Sequence, residues 1–101
     1  MHMMLKVDVP LEPRNALIRD GEMGELIKEV MDDVQPEMVF FSEEDGTPTT
    51  YVLVSIEDGS EIPSVTEPFF LKLNAKVEIH PGMTTEEIMS ADLDALGQKW
   101  G

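Results

Sequence analysis

The side chains of this sequence that could carry acid–base chemistry fall on two short alternating stretches. Ala75 to His80 reads Ala-Lys-Val-Glu-Ile-His, which puts Lys76, Glu78 and His80 on one side of a strand and Val77 and Ile79 on the other. Leu5-Lys6-Val7-Asp8-Val9 alternates in the same way, with Lys6 and Asp8 on its polar side. Histidine titrates near neutral pH, so His80 has the chemistry of a general acid or base. If the two strands are neighbours, their polar sides meet. Lys6 then pairs with Glu78 and Asp8 with Lys76. Alternatively the same groups form the polar end of an apolar cleft, with Phe40 or Phe41 and Tyr51 close by, suited to a small acid or an aromatic ligand. The expected ligand-binding set is Lys6, Asp8, Phe41, Tyr51, Glu78 and His80; no residue is assigned a catalytic role.

Other chemistry is thinly represented. Arg14 and Arg19 are two of only seven cations and could hold an anion, although Glu12, Glu22 and Glu25 are nearby partners. Asp32-Asp33 and Glu43-Glu44-Asp45 lack the alternating oxygen ligands and closing Glu of a calcium loop, so no metal is expected. There is no cysteine, which excludes thiolate nucleophiles, zinc–thiolate sites, iron–sulfur clusters and disulfides. Gly21-Glu22-Met23-Gly24 has neither the lysine nor the preceding strand of a phosphate loop. No cofactor is expected, and His2, beside the first methionine, is given no role.

Charge narrows the partners. The chain carries 21 Asp and Glu against 7 Lys and Arg, a formal charge of −14. Nucleic-acid affinity comes largely from cations that neutralise phosphates, so this chain would repel a phosphate backbone, and an anionic membrane for the same reason. No apolar run approaches the ~18 residues of a transmembrane span, and no basic start with a long apolar stretch marks a signal peptide. The expectation is a cytoplasmic protein with one domain over 1–101, its core at 4–80 and a terminal helix at 84–100.

The elements that must position these residues follow from periodicity. Leu5–Val9 is a strand closed by Pro10 and Pro13. Met23, Leu26, Ile27, Val30, Met31 and Val34 form one helical stripe, beginning between residues 15 and 22 and stopped by Gln35-Pro36. Met38–Ser42 and Thr49–Ile56 are strands joined through Asp45-Gly46, a hairpin signal. Ile62, Val65, Phe69, Phe70 and Leu73 predict a second helix, kinked by Pro68 and ended by Asn74. Ala75–His80 is the last strand. Thr84 and Glu87 make a capping box for a terminal helix broken near Ser90-Ala91-Asp92 and ending at Trp100.

Strand-helix-strand occurs twice. The predicted fold class is therefore α+β: a ferredoxin-like β-α-β-β-α-β unit with a four-stranded antiparallel sheet and an extra C-terminal helix. Right-handed crossovers place the first and third strands in the centre. Both long helices then cover one face. Met38 and Phe40 oppose Val39 and Phe41, and Tyr51 and Leu53 oppose Val52, Val54 and Ile56, so whichever set faces the helices leaves apolar residues on the other face. Such a patch marks an association surface, and a twofold pair of sheets packed face to face covers it.

This layout of strand Leu5–Val9, helix to Val34, hairpin Met38–Ile56, helix to Leu73 and strand Ala75–His80 resembles the dimeric α+β barrel superfamily. The stretches Glu67-Pro68-Phe69-Phe70-Leu71 and Ala75–Thr84 are similar to small uncharacterised bacterial proteins of this type. The resemblance implies a homodimer, and a range of activities: cofactor-free monooxygenases, muconolactone-type isomerases, haem-degrading enzymes and regulatory ligand-binding domains. None of their active-site motifs is matched. Two readings follow. The first is a non-catalytic dimeric module that binds a small ligand or a protein. The second is a cofactor-independent monooxygenase or isomerase acting on a small hydrophobic acid in a cleft on the sheet face.

Overall fold

Strict alternation builds the middle of the molecule. Met3, Leu5, Val7 and Val9 are buried while the residues between them are only half-buried, so β1 (His2–Asp8) presents one face to a core and one outward. In the computed structural model, which describes residues 1–101, there follow α1 (Leu11–Arg19), α2 (Met23–Val34), β2 (Met38–Glu44), β3 (Thr47–Ser55), a 3-10 turn (Gly59–Glu61), α3 (Ile62–Leu73), β4 (Lys76–Gly82), α4 (Thr85–Ser90) and α5 (Leu93–Trp100). The fold is α+β, with one four-stranded antiparallel sheet in the order β2-β3-β1-β4. The first and third strands are therefore central. No helix is long and apolar enough to cross a membrane.

One face of the sheet carries the core. Met3, Leu5, Val7, Val52, Val54 and Ile56 pack against Val30 of α2 and Val65, Phe69 and Leu73 of α3. The register pairs Lys6 with both Tyr51 and Glu78, and Asp8 with Thr49 and Lys76. The hairpin turns at Asp45 (φ 54°) and Gly46 (φ 75°), two left-handed residues as a two-residue turn requires.

Several boundaries differ from the sequence reading: β1 begins at His2, β2 runs to Glu44 and β3 begins at Thr47. The first helix is two. Gly21, at φ 73°, adopts a conformation a helix cannot continue through, so α1 ends at Arg19 and Arg14 lies inside it. Pro13, expected only to close β1, sits within α1, after an extended Glu12. Pro68 lies inside α3, as expected, with no non-helical residue in that helix, and Asn74 caps it in the left-handed region, also as expected. β4 continues through Pro81 to Gly82, because it is an edge strand and a missing N–H there costs no ladder bond.

The C-terminal segment stands apart. The capping box forms as expected: Glu87 N–H donates to the Thr84 hydroxyl at 3.2 Å, and Thr84 N–H to the Glu87 carboxylate at 3.0 Å. Asp92, at φ 52°, separates α4 from α5 and caps α5. Neither helix buries a residue, and Met89, Leu93, Leu96 and Trp100 are all exposed. The chain measures 59 × 29 × 18 Å with a radius of gyration of 16.9 Å, against about 13 Å for a compact domain of this length.

The burial pattern yields a direct test. Leu5, with no exposed surface, should lose about 2–5 kcal/mol of stability when changed to Ala. Leu71→Ala, at an exposed position on α3, should change stability by less than ~0.5 kcal/mol. Urea unfolding of the two variants checks both values.

Candidate functional site

The face of the sheet that the helices leave open gathers most of the expected set. Because residues directly opposite in an antiparallel sheet project to the same side, its rows can be read from the register. Met38, Leu53, Met4 and His80 form one row; Phe40, Tyr51, Lys6 and Glu78 the next; Ser42, Thr49, Asp8 and Lys76 the third. An apolar half on β2 and β3 therefore adjoins a charged half on β1 and β4. Phe40 is 59% exposed, and Met38 is exposed beside it.

At the junction is a hydrogen-bonded trio. Lys6 Nζ donates to Glu44 Oε1 at 2.9 Å, and the Tyr51 hydroxyl donates to Glu44 Oε2 at 2.6 Å. Lys6 lies on β1 and Glu44 on β2, so the lysine stem crosses over β3 to reach its partner. The hydrogen bond from Tyr51, followed by that from Lys6, holds the Glu44 carboxyl below its usual range. The hydrogen bond to Glu44 raises Lys6 above the ordinary lysine value and Tyr51 above the ordinary tyrosine value. All three move away from neutrality, whereas an acid–base catalyst working near pH 7 needs a shift toward it.

Further ion pairs line the same face. His80 Nε2 lies 3.3 Å from Glu78 Oε2, and Lys76 Nζ 3.8 Å from Glu78 Oε1. The expected registers of Lys6 opposite Glu78 and Asp8 opposite Lys76 are present, but the contacts run elsewhere: Lys6 goes to Glu44, and Asp8 accepts from the Thr49 hydroxyl at 3.3 Å. Phe41 does not belong with this group. It pairs with Thr50 and lines a cavity on the helix-covered side; Phe40 stands beside Tyr51 instead.

Two contributors had no sequence role. Glu44 was part of an acidic turn, and only sheet order brings it to Lys6. His2 sits between two carboxylates, with Nε2 3.1 Å from Glu37 and Nδ1 2.7 Å from Glu87. It thus joins β1 both to the start of β2 and to the capping box of α4. The Thr84 N–H, ahead of the smaller contribution from His2, lowers the Glu87 carboxyl.

No protein-family model matches the chain, and no curated protein matches it. The site's meaning therefore rests on its own geometry.

The trio makes a pH prediction. Glu44 is lowered from 4.5, so the unfolded chain binds its proton more readily; the stabilisation is present above pH ~4.5 and is lost as pH falls through the folded value. Glu44→Gln should unfold with a shallower dependence on pH between about 5 and 3 than the parent chain. Urea midpoints measured across that range check the slope.

Proposed function

We propose that this chain is a non-catalytic homodimeric module of the ferredoxin-like, dimeric α+β barrel type, whose open sheet face meets a second copy in a twofold pair. The observation that carries the reading is the apolar half of that face. Met38, Phe40, Tyr51, Leu53 and Met4 form a contiguous surface with no helix over it, the kind of patch that marks an association site. The face is also nearly balanced in charge: Lys6 and Lys76, with His2 and His80, lie on it beside Asp8, Glu44 and Glu78, in a protein with seven Lys and Arg and two His against 21 acids.

The C-terminal arm fits the same arrangement. Leu93, Leu96 and Trp100 recur at spacings of three and four along α5, Met89 precedes them on α4, and all four are exposed. Laid across the partner's sheet, the arm extends the contact. Four strands of seven residues cover about 450 Å² of plane, and two short helices add roughly 250 Å². The total of about 700 Å² per protomer is near the ~800 Å² per partner of a stable interface. The pKa directions of Lys6, Glu44 and Tyr51 favour this reading over the cofactor-independent monooxygenase or isomerase, since none of the three is poised for proton transfer.

Light scattering on a sizing column should give about 22.6 kDa, twice the 11.3 kDa of one chain, and hold that value on dilution. Phe40→Asp, at an exposed position, should yield a folded species near 11.3 kDa. A parent chain that runs as a monomer at every concentration would overturn the proposal, as would a Phe40→Asp variant that stays dimeric.

A further inference from the structure

On the opposite side of the sheet, beneath α2, lies a cavity of about 260 Å³. Its walls are mostly apolar, with Val7 and Val9 from β1, Leu26 and Val30 from α2, and Phe69 and Leu73 from α3, beside Thr49 and Thr50 of β3. Phe41, 59% exposed on β2, stands at its mouth. An open recess continues outward past Arg14, Phe41, Ser42, Glu43 and Pro48.

Arg14 is the one cation in that lining, and its bonding is unusual for this chain. Acids outnumber Lys and Arg by 21 to 7, so a half-buried guanidinium should find a carboxylate. It has none within 4.0 Å. Glu12, one of the expected partners, receives Arg19 at 3.3 Å and the Ala16 N–H at 3.2 Å instead. Arg14 Nη1 donates to the neutral Asn15 Oδ1 at 2.8 Å. Glu43 borders the recess without pairing with Arg14.

We propose that this cavity binds a small organic monocarboxylate, its apolar body under α2 and its carboxylate on Arg14. A planar guanidinium fork matches a carboxylate in a two-bonded geometry and strengthens in an apolar setting. A dry cavity of about 150 Å³ lined by such side chains takes up benzene, so this one has room for roughly ten non-hydrogen atoms. A single arginine with one acid at the rim suits a monoanion better than a doubly charged phosphate. The site is on the helix side and does not depend on the sheet-face dimer.

The test uses the full chain and three probes of equal length: octanoate, 1-octanol and octylamine. Calorimetry should show octanoate binding at least tenfold more tightly than either of the others. Arg14→Gln should bring octanoate down to the level of octanol, and Arg14→Lys should recover part of the difference. Amide NMR shifts on octanoate addition should fall at Val30, Thr50 and Phe41 and leave Leu53 and Met4 on the open face unmoved. Equal binding of octanoate and octanol to the parent chain would overturn the proposal. So would a folded Arg14→Gln variant that binds octanoate unchanged, or shifts confined to the open face. Should Arg14→Gln fail to fold, the three-probe comparison on the parent chain still decides.

Discussion

Everything in this molecule depends on a sheet covered on one side only. The pleat sends successive residues of β1 and β3 to opposite faces, so burying Leu5, Val7, Val52 and Val54 under α2 and α3 commits Met4, Lys6, Tyr51 and Leu53 to the other face. In a monomer that second face is usually polar. Here it is polar toward β4 and apolar toward β2. The core and the open face are thus one decision of the chain, and neither can be altered by a register shift without destroying the other.

Charge is the second constraint. A chain at −14 has few cations to place, and each position matters. Lys6 reaches over Tyr51 to Glu44 and ties the central β1 to the far end of the edge strand β2. His2 draws Glu37 and Glu87 together, fastening the start of the C-terminal arm to the sheet. These contacts sit at exposed or half-exposed positions, where a single ion pair stabilises little. Their effect is geometric: they orient β2 and the arm around the open face. Arg14 is the exception, since it is held next to a cavity with no carboxylate within 4.0 Å.

Much of the fold was legible because its signals are local. Alternation in Leu5–Val9 and Ala75–His80 specifies strands, Asp45-Gly46 specifies the hairpin, and the Thr84–Glu87 pair specifies a helix start; each acts over two to four residues. The errors also have local causes. The periodic stripe of α2 gave no sign that α1 precedes it, because the left-handed Gly21 interrupts the pattern. Pro81 reads as a strand end unless the strand is known to lie at an edge.

The candidate site was legible only as rows. The sequence could place Lys6 opposite Glu78, because both lie on alternating strands and adjacency follows from the crossover rule. It could not assign Lys6 to Glu44, which lies two strands away, nor separate Phe40 from Phe41, since a run of apolar residues carries no period of two. The sequence by itself determined the four strands, the helices other than α1, the central strands and the existence of a second apolar face, because these follow from side-chain period and chain handedness. The tertiary structure alone decided which aromatic faces which side, which carboxylate each cation meets, and that a cavity opens beside Arg14. Those depend on how α1, α2 and β2 pack against one another, and packing distances are not encoded in any local spacing.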